Sequence, residues 1–207
     1  YRSLNASTSN VRLMPNLATV LAGNSFNTWE ANPSVARALN FSLTVRDNHA
    51  GGGQTASDLM KVTVSGNAGP FVMTAPNTNV SWAAGTVQTV TWNVAGTDAN
   101  GVNAKYVDIY LSTNGGNAYP VLLASKVPND GSELVTVPNI VGTQNRIMVR
   151  GYNNIFYDIS NANFSITAPE TTFASGFSGV AEEQNKTICT GASTSYTIAY
   201  AALNGFS

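Results

Sequence analysis

Val87-Gln88-Thr89-Val90-Thr91-Trp92-Asn93-Val94 sets Val90, Trp92 and Val94 on one side of an extended chain and Thr89, Thr91 and Asn93 on the other. A period of two, built from β-branched and aromatic residues, marks a strand with one buried face. Downstream, Tyr106-Val107-Asp108-Ile109-Tyr110-Leu111 repeats the pattern, with Val107, Ile109 and Leu111 facing one way and Tyr106, Asp108 and Tyr110 the other. Residues 134–137, 146–149 and 163–166 carry further extended runs. Asn114-Gly115-Gly116 and Pro128-Asn129-Asp130-Gly131 supply turns between the runs.

Upstream, Phe41, Leu43 and Val45 alternate with Ser42, Thr44 and Arg46. After Asp47-Asn48-His49-Ala50-Gly51-Gly52-Gly53, the residues Met60, Val62 and Val64 alternate with Lys61, Thr63 and Ser65. This predicts a hairpin with a long glycine-rich connection, ended by the linker Ser65-Gly66-Asn67-Ala68-Gly69-Pro70. Between Phe71 and Thr167 about seven short strands fit, the spacing of an immunoglobulin-like sandwich. Residues 1–66 offer three or four strands, too few to close such a sandwich. Residues 169–207 offer one clear run, Tyr196-Thr197-Ile198-Ala199-Tyr200. The predicted fold is all-β: an immunoglobulin-like antiparallel β-sandwich within tandem β domains whose outer members are incomplete. Residues 1–66 are expected to be the C-terminal part of an upstream cadherin- or immunoglobulin-like β domain. Residues 69–168 form the complete sandwich, and 169–207 begin a further β domain.

Composition agrees and narrows the chemistry. Of 207 residues only 10% are charged, against about 25% in an ordinary globular chain, while 43% are hydrophobic. Amides, hydroxyls and glycines occupy the surface instead, and these residues favour strands and turns over helices. A net charge of −1 without a basic run argues against a nucleic-acid partner. No stretch of 18 apolar residues predicts a membrane helix. Cys189 and His49 are the lone cysteine and histidine, so neither an internal disulfide nor a histidine-ligated zinc centre can be assembled. Carboxylate chemistry, oxygen-ligated calcium or no chemistry remain. Glycoside hydrolysis needs two carboxylates about 5–9.5 Å apart in a cleft. The eleven acidic residues are scattered over turns and strand ends, and none pairs in this way. The segment is therefore expected to be non-catalytic.

Two binding constellations stand out. Asp47 and Asn48 end one predicted strand and Asp58 precedes the next, so their oxygens could meet around a calcium ion between tandem domains. The plainer reading is a solvated loop capped by its own carboxylates. Asp98-Ala99-Asn100-Gly101-Val102-Asn103 opens like a calcium loop, but its twelfth position is Ile109 where a bidentate Glu is required, which leaves an Asx turn. Tyr106 and Tyr110 share the outward side of one strand about 13 Å apart, suited to an extended glycan or peptide. Tyr119, Tyr152 and Tyr157 could extend that patch; alternatively these are ordinary sandwich-face residues. Trp82, Gly85, Val90 and Trp92 read as core and turn positions. Ser112-Thr113-Asn114-Gly115-Gly116-Asn117-Ala118-Tyr119 reads as a hairpin locked by side-chain bonds to its own backbone.

The stretches Gly69-Pro70-Phe71, Trp82 through Trp92, Val107 through Gly116, Val127 through Ser132, Phe156-Tyr157-Asp158-Ile159-Ser160 and Asn163-Phe164-Ser165-Ile166 together resemble a known module. It is the immunoglobulin-like module that follows the catalytic domain in secreted, reprolysin-like zinc metallopeptidases of Bacteroidetes-type bacteria. A more distant likeness is to the Kre9/KNH-type wall-protein module. The family's His-Glu-x-x-His signature is absent, so the resemblance carries no catalytic residue onto this chain. It implies a non-catalytic accessory or spacer segment of a secreted or bacterial cell-surface protein. The implied partners are neighbouring domains of the same precursor, with extracellular polysaccharide or protein as further candidates.

Overall fold

The computed structural model describes residues 11–169 continuously, together with Tyr1, Ser3, Asn5, Ser9, Thr190 and Gly191. The chain divides into two units, Tyr1–Ala168 and Pro169–Ser207. The predicted strand at 196–200 and Cys189 lie outside the described residues.

Alternation becomes strand wherever turn residues bound it. Arg37–Arg46 (β1) and Thr55–Val64 (β2) form an antiparallel hairpin in which Phe41 faces Met60 and Leu39 faces Val62. The remaining strands build two sheets. Val72–Ala75 (β3), Val87–Asn93 (β5) and Ser132–Thr136 (β8) form the smaller sheet in the order β3-β5-β8. The larger sheet contains Ser81–Ala83 (β4), Tyr106–Ser112 (β6), Val121–Pro128 (β7), Gly142–Gly151 (β9), Tyr157–Ile159 (β10) and Phe164–Thr167 (β11). Its order is β4-β11-β9-β6-β7, with β10 also paired to β9. This is the all-β, immunoglobulin-like sandwich that the strand spacing predicts.

Three details differ from the sequence reading. The sandwich holds nine strands, because β4 and β10 are only three residues long and give too little alternation to read. One pairing is parallel: after β3, the chain crosses to the other sheet as β4 and runs alongside β11. Finally, the described part of 1–66 contains two strands and a short helix, Leu17–Leu21 (α1), where three or four strands were expected. Asn16 caps that helix by accepting the Thr19 amide at 3.0 Å.

The core lies between the sheets. Val90, Trp92 and Val135 of the smaller sheet meet Val107, Ile109, Leu111, Ile147, Val149, Phe164 and Ile166 of the larger. Trp82 closes one side, its ring centroid 4.6 Å from that of Phe164. Trp92 cannot be buried without satisfying its indole N–H. Nε1 donates to Asn129 Oδ1 at 2.8 Å, and Asn129 Nδ2 in turn donates to the Ala104 carbonyl and Thr97 Oγ1. The predicted turn at Pro128–Gly131 thus also seats the central tryptophan. Gly131 is required there: φ is 105°, and a Cβ would stand 3.3 Å from the Trp92 carbonyl oxygen.

Candidate functional site

The outward side of β6 carries Tyr106, Asp108 and Tyr110, opposite Arg150 and Met148 of β9. Tyr106 is exposed, at 42%, while Asp108 retains only 5%. That burial is explained by the pairing with β7. Val107 faces Val127 and Ile109 faces Ala124, so Asp108 stands opposite two residues, Ser125 and Lys126; a second shift follows between Ile109 and Tyr110. The extra residue is a β-bulge. Asp108 Oδ1 holds both of its members, accepting from Ser125 Oγ at 2.8 Å and from the Lys126 amide at 2.9 Å.

The bulge aims Lys126 across the face. Its Nζ lies 5.5 Å from the Tyr106 ring centroid and 5.7 Å from that of Tyr152, within range of cation–π attraction. The Tyr152 amide donates to the Tyr106 carbonyl at 2.9 Å, which keeps the two aromatic residues side by side. Arg150 makes the second half of the pattern. Its guanidinium lies 5.0 Å from the Tyr110 ring centroid, Nη2 donates to the Tyr110 hydroxyl at 2.9 Å, and Asp108 Oδ2 is 3.8 Å away. Burial pushes the Tyr110 hydroxyl above its ordinary pKa, with Arg150 opposing the shift. The phenol therefore stays protonated at neutral pH.

Not every predicted residue joins this face. The Tyr119 hydroxyl is buried and finds no hydrogen-bond partner among the described residues; it sits near Gly116, where Leu21 of α1 also packs. Burial raises its pKa, so it acts as a covered, neutral phenol. The Tyr157 hydroxyl is likewise buried and without a partner among the described residues, whereas Tyr152 extends the patch. The hairpin preceding Tyr119 is locked as its sequence indicates: Ser112 Oγ accepts the Gly116 amide, and Asn114 Oδ1 accepts the Ala118 amide.

The calcium candidates are not brought together. Asp58 does not precede β2 but lies inside it, opposite Leu43, while Arg46 faces Thr55. Asp47 is therefore level with Gln54, four residues and about 13 Å along the strand from Asp58. Asp47 Oδ1 instead accepts the His49 and Gln54 amides, and Asp58 Oδ1 accepts the Leu59 amide. Among the described residues no group of three metal-ligating His, Cys, Asp or Glu side chains converges.

A cavity of about 810 Å³ is bounded by the apolar side of the hairpin, through Phe41, Met60 and Val62, and by Phe71, Phe156 and Ile159. Asp158 borders it, with its carboxyl raised by burial although Oδ2 accepts the Met73 amide at 2.7 Å. Sequence reading missed Lys126 and Arg150. Alternation assigns them to a surface, but only the register and the bulge show that each lies on a tyrosine.

Residues 75–174 match the family model described as the Kre9/KNH-like N-terminal Ig-like domain. The match begins at the last residue of β3 and runs past β11. No curated protein matches the chain.

Proposed function

We propose that the chain is a non-catalytic accessory segment of a larger secreted or bacterial cell-surface protein, in which the sandwich at 69–168 spaces and orients a neighbouring domain. The observation that carries this reading is the joint between hairpin and sandwich. The Gly69 amide donates to the Ala95 carbonyl at 2.8 Å, and Ser65 Oγ donates to the Asn100 carbonyl at 3.1 Å. These bonds tie the linker to the loop after β5 and restrict bending. The exposed apolar residues of the hairpin, Leu43 at 67% and Val45 at 60%, support assigning 1–66 to an upstream β domain. A two-stranded sheet alone is marginal in water. Residues 169–207 would then begin a third domain. An immunoglobulin-like domain of the matched kind is not a known catalytic domain. A zinc metallopeptidase as the parent protein is supported by the sequence resemblance set out above.

The test removes 69–168 from the parent protein and compares two substrates. Cleavage of a short soluble peptide should be unchanged, while cleavage of a surface-bound protein should fall. Equal loss on both, or a parent without peptidase activity, overturns the corresponding part of the proposal.

A second reading is an adhesive module that binds glycan or protein through the Tyr106/Tyr110 face. It is favoured by the exposure of Tyr106 and by the placement of Lys126 between Tyr106 and Tyr152.

A further inference from the structure

Lys126 adopts φ 54°. The left-handed region costs a residue with a Cβ roughly 1–2 kcal/mol, and Gly, Asn or Asp normally fill it. Here a lysine fills it, supported by the buried carboxylate of Asp108. Strained positions of this kind persist where the surrounding structure holds them, often at functional sites. The consequence is a cation fixed over two tyrosine rings. Among the described residues Lys126 makes no ion pair, so its ammonium donors face solvent unanswered by a carboxylate. Arg150, with 47% of its side chain exposed, adds a second cation. The acid between them, Asp108, is buried: Oδ1 is taken by Ser125 and the Lys126 amide, and Oδ2 pairs with Arg150 at 3.8 Å, so among the described residues Lys126 is the cation of this face without an ion pair.

We infer that this face binds an acidic polysaccharide, with sugar carboxylates paired to Lys126 and Arg150 and pyranose faces laid against the tyrosine rings. This rests on the second reading above, that the Tyr106/Tyr110 face takes a ligand. Charge complementarity selects an anion. The separation of the two tyrosines selects a repeating chain over a single ion. A peptide added as a strand would pair along the edge strand β7, to one side of the tyrosines, because β6 and β9, which carry Tyr106, Tyr110 and Arg150, are inner strands whose backbone groups are spent on their neighbours.

The experiment titrates the chain with polygalacturonate, neutral dextran, dextran sulfate and polyglutamate at two salt concentrations. Polygalacturonate should bind most tightly, and added salt should weaken it. Lys126→Gly should weaken binding roughly tenfold, the loss of one charge-assisted contact. The same change should raise the melting temperature by relieving φ, which separates lost binding from lost folding. Lys126→Arg should restore most of the affinity. Equal binding of neutral dextran, or an affinity unmoved by Lys126→Gly, overturns the acidic ligand while leaving the tyrosine face standing. Tighter binding of dextran sulfate or polyglutamate overturns the sugar carboxylate. Binding that survives Tyr106→Ala/Tyr110→Ala, or no binding to any of the four, overturns the underlying reading and the proposal with it.

Discussion

The β1–β2 hairpin and the strands β5 and β6, which lie in opposite sheets of the sandwich, carry the same pattern in sequence and meet different fates. In β6 the apolar residues Val107, Ile109 and Leu111 are all but inaccessible, whereas in β1 Leu43 and Val45 stand largely in solvent. Alternation with a period of two therefore specifies a strand and an apolar side. It does not specify what covers that side. The sandwich covers its own because the chain returns as a second sheet. Among the described residues the hairpin finds cover at its base, where Leu39, Phe41 and Val62 are half-buried and border the cavity beside Phe71 and Phe156.

That contrast can be broken by graded truncations, each read as a shift in denaturant midpoint. Trp92→Ala should cost the most, about 3–5 kcal/mol, the usual range for a buried tryptophan. Asn129→Leu should cost about 1–3 kcal/mol, because it leaves the buried indole N–H without an acceptor. Phe41→Ala, at a half-buried site with an edge contact to Tyr1, should cost roughly 1–2 kcal/mol, a fraction of the core value in proportion to the area removed. Leu43→Ser should change stability by less than about 0.5 kcal/mol, as for an ordinary surface position. A cost near that of Trp92→Ala at Leu43 would show that the hairpin is covered after all, and would erase the distinction. Equal costs at Phe41 and Leu43 would place the base and the tip of the hairpin in the same environment.

The sequence makes the long strands legible and the short ones not. β5, β6 and β9 announce themselves because several inward residues repeat in register. β4 and β10 have one or two inward residues each, too few to distinguish from loop. β7 has eight residues, but its bulge puts Ser125 and Lys126 opposite one partner and breaks the period. Helix α1 is five residues long with Asn16 as its main signal, and asparagine is common throughout this chain. Of the candidate face, Tyr106 and Tyr110 are readable from strand parity. Lys126 is not, since nothing about a lysine announces a left-handed backbone. Tyr119 misleads for the opposite reason: parity and proximity in sequence cannot reveal that Leu21, nearly a hundred residues earlier, packs beside it. Asp58 misleads because the glycine-rich connection is shorter than its composition suggests, with pairing already established at Thr55.

The crossing of the chain from β3 in one sheet to β4 in the other has a mechanical consequence. Since β4 and β11 run parallel, tension applied upstream of residue 80 and downstream of residue 168 drags the two strands past each other lengthwise. Their cross-links, Ser165 amide to Val80 carbonyl and Ala84 amide to Thr167 carbonyl, are then strained together rather than opened one after another. We expect single-molecule stretching to register one abrupt rupture. The sandwich would in that case resist being pulled apart from its ends.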